Sequence, residues 1–464
     1  MERLDATQGW IARVARHEGP IYRAIAETIG AAVAAGELRD GDRLPTHRAL
    51  ADALGIDLTT VTRAYAEARR MGLLQATVGR GSFIRAAPAV GGPGSAVDLS
   101  MNLPPLPASP ALPDLLRDGM AAMLGAPGAA EVLTYRSGAG SGAERAAGAA
   151  WLSPVLGEVP VERVLLSPGA QPALMVVLGA LLAPGEVVLT DAMTYPGLRG
   201  AAAQLGLRLR GVAADADGML PDAIAAACQA EPRPKALYCV PTMHNPTAAT
   251  MPLTRREAIA ALARTLGLQV IEDDAYGLLP AAPLPAIASL APECCFHVAT
   301  VSKVISPALR VAWMVVPDAR WAARMATALR ATVLMASPLL AGLFTRWVGD
   351  GTAAAVLGAI RHECAARQRI AQEVLAGARF AAHPEGIHLW LDLPAGWDRL
   401  DFAAQLRRRG LAVVPSDAFA VGAPVAAVRV SLGAAADRTA LRGALGAIAE
   451  ELRSDAGPSF ADIV

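Results

Sequence analysis

At 464 residues the chain exceeds what one hydrophobic core ordinarily organises, so at least two domains are expected. Hydrophobic residues make up 53% of it, largely as alanine, yet no stretch of about 18 uninterrupted apolar residues occurs, which argues against a membrane span. Formal charge is zero, giving no whole-chain case for nucleic acid, and the five cysteines are odd in number without metal-ligand spacing, as in the thiols of a cytoplasmic protein.

The N-terminus carries Glu2, Asp5 and Glu18 among its arginines and lacks the apolar core of a signal peptide. Ile21, Ile25, Ile29 and Val33 then recur every four residues, one face of a helix that Gly36 stops. Leu44-Pro45-Thr46 opens a second helix with Thr46 as N-cap and Leu50 and Leu54 turned inward. Gly55-Ile56-Asp57 is a tight turn, and Asp57 can cap a third helix that runs to about Arg70. Two helices joined by a short turn containing glycine form a helix-turn-helix. Two strand-like runs around Gly79-Arg80-Gly81 then suit a hairpin. Between Arg43 and Arg85 seven arginines face three acids, a local excess of the kind that a DNA-binding face needs.

Residues 86–97, rich in Ala, Pro and Gly, read as a linker between a first domain at 18–85 and a second at 98–464. The second domain alternates apolar strand-like runs with Ala/Leu-rich helical stretches, which predicts an α/β fold with a largely parallel sheet. From about Phe380, runs such as His388-Leu-Trp-Leu-Asp-Leu and Ala427-Val-Arg-Val-Ser predict a small α+β subdomain.

Lysine is almost absent: Lys235 and Lys303 stand against forty arginines. Arginine is effectively never deprotonated, so it cannot act as an amine nucleophile or form a Schiff base. Lys303 lies just past an apolar run, in Val298-Ala299-Thr300-Val301-Ser302-Lys303, with Arg310 seven residues on. Three other runs also end in polar residues, at Ser167-Pro168-Gly169-Ala170-Gln171, at Pro241 through Asn245-Pro246-Thr247, and at Glu272-Asp273-Asp274-Ala275-Tyr276. Ligands of open α/β sheets sit at such strand ends. Pyridoxal phosphate requires a lysine amine for its aldehyde, amides, hydroxyls and an arginine for its phosphate, and a carboxylate for its ring nitrogen. Any one of these turns alone is weak evidence; the ordered set is specific.

That set resembles the fold-type I, class I/II aminotransferases over essentially all of 98–464. The resemblance implies that Lys303 forms the internal aldimine and that Asp273 pairs with the pyridine nitrogen. Tyr276 and Asn245 would hold the phenolate oxygen, which lowers the pKa of the imine. Ala170, Gln171, Thr300, Ser302 and Arg310 would form the phosphate cup. Tyr195 matches the aromatic stacked on the ring, and Arg429 the arginine that clamps a substrate carboxylate. Tyr135 resembles a tyrosine that reaches the phosphate from a partner subunit. Alanine stands at 248, 308 and 312 where glycine is usual, which implies a slightly altered pocket.

The segment from Gly19 to Ile84 resembles the GntR-type winged helix, notably in Gly-Asp-Arg-Leu-Pro, Thr-Thr-Val-Thr-Arg-Ala-Tyr and Gly-Arg-Gly-Ser-Phe. Thr59, Thr60 and Arg63 lie near the start of the recognition helix, where a major-groove helix contacts bases and phosphates. Arg48 is placed for backbone phosphate, and Arg80, beside Gly81 at the hairpin tip, for the minor groove. Leu58 departs from the arginine frequent in that family. Winged helix and aminotransferase-like domain together resemble the MocR subfamily of transcriptional regulators. This implies a cytoplasmic homodimer that binds operator DNA and senses an amine or amino acid as an external aldimine at Lys303. The alternative is a working aminotransferase with a regulatory or vestigial winged helix. A third reading, a DNA-binding protein whose second domain only dimerises, leaves the lysine, aspartate and phosphate cup without purpose.

Overall fold

A computed structural model of the chain describes residues 10, 11, 14, 21–34, 37, 38, 42, 44–70, 73–77, 81–84, 97–127, 129–136 and 138–454. The chain divides into two compact units, Met1–Ser95 and Ala96–Val464, each with its own core. Among the described residues no helix is long and apolar enough to cross a membrane.

In the first unit α1 (Ile21–Ala34), α2 (His47–Leu54) and α3 (Leu58–Arg70) precede a hairpin of β1 (Leu74–Thr77) and β2 (Gly81–Ile84). Ile25, Ile29 and Leu50 are fully buried, as the helical spacing predicts, together with Val61 and Tyr65, whereas Ile21, predicted on the same face, is exposed at the start of α1. Thr46 caps α2 by accepting from the Ala49 amide at 3.2 Å, and Gly55 ends it in the left-handed conformation at φ 63°. Asp57 opens α3 by accepting from the Thr59 amide at 2.7 Å. The hairpin is antiparallel, with Leu74 opposite Ile84 and Thr77 opposite Gly81. Arg80 and residues 86–96 of the linker predicted at 86–97 lie outside the described residues, whereas Val97 already belongs to a strand.

The second unit is built on seven strands: β3 (Val164–Ser167), β4 (Val187–Asp191), β5 (Arg208–Val212), β6 (Ala236–Cys239), β7 (Gln269–Asp273), β8 (Cys295–Thr300) and β9 (Ala312–Val315). Their order is β3-β9-β8-β7-β6-β4-β5. Only β9 runs antiparallel to its neighbours. The inner strands are buried along nearly their whole length, so they show no alternation of buried and exposed residues. A smaller antiparallel sheet has the order β10 (Phe380–Ala382), β11 (His388–Asp392), β13 (Ala427–Ser431), β12 (Val414–Pro415). It packs on helices Arg399–Arg408 and Arg438–Arg453 around a second core. The first residues of the unit, Val97 and Asp98, pair in parallel with Leu411 and Ala412.

Candidate functional site

The carboxyl ends of β3, β6, β7 and β8 converge on a cavity of about 380 Å³. After β3 the chain turns through Gly169, at φ 130°, into α4 (Ala170–Leu181), whose first turn has no side-chain cap. Free amides at a helix N-terminus form an anion site. Arg310, held in the left-handed region at φ 50°, donates to the Pro168 carbonyl at 2.9 Å and lies against the same turn. A Cβ at position 169 would stand 2.3 Å from the Arg310 guanidinium, so glycine is what lets the arginine close over it. Thr300 and Ser302 share a hydroxyl contact at 2.9 Å, and Gln171 donates to the Gly197 carbonyl at 2.9 Å. Ala170, Gln171, Thr300, Ser302 and Arg310 line the cavity.

Asp273 closes β7 and is buried. Its Oδ2 accepts from the Tyr238 hydroxyl at 2.7 Å, whereas its Oδ1 is buried without a partner. Burial, above all, pushes this carboxyl up to about 6, with a further push from Asp274; the Tyr238 hydrogen bond works the other way. An unpaired buried carboxylate oxygen costs free energy unless a donor arrives. The N–H of a protonated pyridine ring is such a donor, so the residues fit pyridoxal phosphate.

Lys303 follows β8, and its Nζ donates to the Asn102 carbonyl at 2.6 Å. Burial brings the amine down to about 8; Arg429 and Arg310 push the same way and Asp273 opposes them. Tyr276 is buried, with its hydroxyl accepting from Asn102 Nδ2 at 2.8 Å, and burial raises its pKa. Tyr195 lines the cavity where helix Pro196–Gln204 begins, and its pKa is also raised by burial.

Arg429 lies on β13 and donates to Asn245 Oδ1 at 2.8 Å, to the Ser100 carbonyl, and lies over the Phe419 ring at 5.1 Å. Its buried Nε has no partner, and among the described residues no carboxylate pairs with it. Burial lowers its pKa. A desolvated guanidinium without an acid is a receptor for a ligand carboxylate.

Eleven residues besides Lys303 are predicted for the site in this domain, and the cavity gathers all but one. Tyr135 is the exception, 82% exposed and outside the cavity of its own chain. Lys235 is exposed and pairs with Glu186 at 2.7 Å. Sequence reasoning missed Asn102, Tyr238 and His388. Tyr238 sits in an apolar strand, where only its hydroxyl distinguishes it; Asn102 belongs to the short polar run Asp98-Leu-Ser-Met-Asn102 before two prolines.

That run forms a strap across the cavity. The Ser431 amide donates to the Leu99 carbonyl at 2.9 Å, Arg429 holds Ser100, and Lys303 holds Asn102. The Leu103 carbonyl approaches Gly433 so closely that a Cβ there would lie 1.8 Å from it.

On the first unit, Arg48 is exposed in the first turn of α2, and Arg63 is exposed on α3 with its guanidinium 4.6 Å over the Tyr22 ring. Thr60 is half-buried at the start of α3. The Thr59 hydroxyl is engaged by Asp57, so this threonine is tied into the helix cap. Gly81 begins β2.

The family model for class I and II aminotransferases matches residues 96–448, and that for bacterial regulatory proteins of the gntR family matches 21–84. The HTH-type transcriptional regulator YdeF of Bacillus subtilis, itself uncharacterised, is 30% identical over 91% of this chain and 92% of its own. PtsJ of Salmonella typhimurium, a transcriptional repressor of the vitamin B6 salvage pathway, is 29% identical over 89% of this chain and 95% of its own. Among solved structures, LysN, an α-aminoadipate aminotransferase from Thermus thermophilus bound to N-(5'-phosphopyridoxyl)-L-leucine, is 26% identical. It covers 84% of this chain, with 98% of its own length matched, at a TM-score of 0.71.

Proposed function

The chain belongs to the MocR-type regulators, in which a GntR-type reader is joined to a class I and II aminotransferase domain, and on that premise we propose how its two halves work together. It is a pyridoxal-phosphate-dependent transcriptional regulator. The first unit binds operator DNA, with Arg48 and Arg63 on phosphates and Thr59, Thr60, Arg80 and Gly81 in or beside the grooves. The second unit senses an amine or amino acid. The observation that carries this reading is the pairing of a low-pKa lysine with an unpartnered aspartate oxygen in one cavity, on a chain that also carries a DNA reader.

When bound, the cofactor supplies an electrophilic carbon for which an amine effector competes with Lys303. The chain's own residues do the rest. Asp273 Oδ1 would hold the ring nitrogen's proton, and the amides of α4 with Thr300, Ser302 and Arg310 would hold the phosphate. Arg429 orients an effector carboxylate. Lys303 would remain in the cavity as an amine able to take up a proton.

The active form is a homodimer in the cytoplasm. Exposed Met101, Leu106, Leu133, Tyr135 and Leu334 give the second unit an apolar surface of the kind that a second copy covers. Tyr135 of each copy then serves the other's phosphate cup.

Operator binding by fluorescence anisotropy, with and without amines, tests the reading for wild type and Lys303→Ala. Wild type should respond to an amine and Lys303→Ala should not. An equal shift in both proteins rules out sensing through Lys303. Rapid conversion of amino donor and keto acid without operator binding would instead support the working transaminase.

A further inference from the structure

His388 lies on β11, fully buried, and no step above uses it. Its Nε2 is 3.1 Å from the His244 carbonyl oxygen, which can only accept, so Nε2 carries the proton. Its Nδ1 lies 3.3 Å from Asn102 Nδ2. Burial, then Arg429, holds the imidazole neutral by bringing its pKa down to about 3; the His244 carbonyl opposes this, while the His244 ring and Lys303 add to it. A neutral ring protonated at Nε2 presents a lone pair at Nδ1, and a lone pair requires a donor. The orientation of the Asn102 side chain is thereby determined: its amino group, not its oxygen, turns toward His388.

The same amino group has a second hydrogen, and Tyr276 Oη lies 2.8 Å from it. Tyr276 is therefore an acceptor toward Asn102. A phenol has one proton, and with Asn102 on its lone pair that proton is free to point into the cavity that Tyr276 lines.

We propose that His388 is a positioning residue of the cofactor site, which acts through Asn102 to aim the Tyr276 hydroxyl into the cavity as a donor. The inference rests on the cofactor reading above and deepens it. The hydroxyl so aimed meets the phenolate oxygen of the bound cofactor. A donor there stabilises the phenolate and lowers the pKa of the Lys303–cofactor linkage. The other charged or titratable groups facing Tyr276 are Arg429, Asp273 and Tyr195, none of which bonds its hydroxyl.

The test is a pH titration of visible absorbance on the full-length, cofactor-loaded protein. His388→Leu removes the Nδ1 acceptor and should raise the apparent pKa by up to about one unit, the worth of one hydrogen bond. His388→Asn, whose side-chain oxygen can accept from Asn102, should recover most of the shift. Tyr276→Phe sets the ceiling, and adding His388→Leu to it should shift nothing further, because both act on one bond. Asn102→Leu serves should His388→Leu fail to fold, and should match its shift. An unmoved pKa in folded His388→Leu, or a shift that adds fully to that of Tyr276→Phe, overturns the role. Wild-type protein that never acquires visible absorbance overturns this role and the cofactor reading together, whereas wild-type absorbance with an unmoved variant sinks the positioning role alone.

Discussion

Lys303 differs from Lys235 in environment rather than in residue type. One is buried beside two arginines, the other exposed and paired with Glu186. An amine acts as a nucleophile only when deprotonated, and burial brings Lys303 down to about 8 from the usual 10.5. Loading of the apoprotein with pyridoxal phosphate should therefore speed up about tenfold per pH unit below 8 and level off above it. Stopped-flow absorbance checks this; a rate that climbs steadily past pH 10 would mean an ordinary lysine. Lys303 and Asp273 were legible in the sequence because each ends an apolar run and because lysine is otherwise so scarce. Tyr238 and His388 were not, since each belongs to a strand whose apolar neighbours conceal a polar atom. Their hydrogen bonds reach residues far off in sequence, Asp273 and Asn102, and no local pattern records such partners.

At the scale of elements, the alternation of strands and helices was readable, and so were the three N-terminal helices with their caps at Thr46 and Asp57. The strand order was not, nor was the reversed direction of β9, because long-range packing decides both. One departure from the resembling family falls in a loop with an unusual backbone. Ala248 occupies a left-handed conformation at φ 61°, a place where glycine carries no steric cost. Ala248→Gly should raise stability by about 1 kcal/mol, seen as a higher denaturant midpoint with an unchanged m-value. Gly169 is the opposite case. Gly169→Ala would drive a Cβ into Arg310 at φ 130°, so cofactor affinity should fall at least about tenfold in equilibrium dialysis, with about 1 kcal/mol of stability lost. If Gly169→Ala binds cofactor normally, the Arg310 turn does not hold the phosphate.

At the scale of the whole molecule, charge is neutral overall and basic in the reader. Arg48→Ala and Arg63→Ala should each weaken operator binding and reduce its salt slope by about one, the signature of one lost phosphate contact, without altering the cofactor spectrum. Anisotropy titrations at several salt concentrations measure this. The strap from Leu99 to Leu103 bears on the other half of the molecule. Its carbonyls at Ser100 and Asn102 are held by Arg429 and Lys303, the two side chains an amino-acid effector would engage. The strap is also the first chain of the second unit, a few residues beyond the linker that leads to the reader. Should an effector loosen those two grips, the change would arise within a few residues in sequence of the segment that joins the second unit to the reader. Coupling of this kind is reciprocal: if effector changes operator affinity by some factor, operator must change effector affinity by the same factor. Amine titrations followed by absorbance, with and without a saturating operator duplex, should return the anisotropy-derived ratio, and the operator itself then counts as a ligand of the amine site.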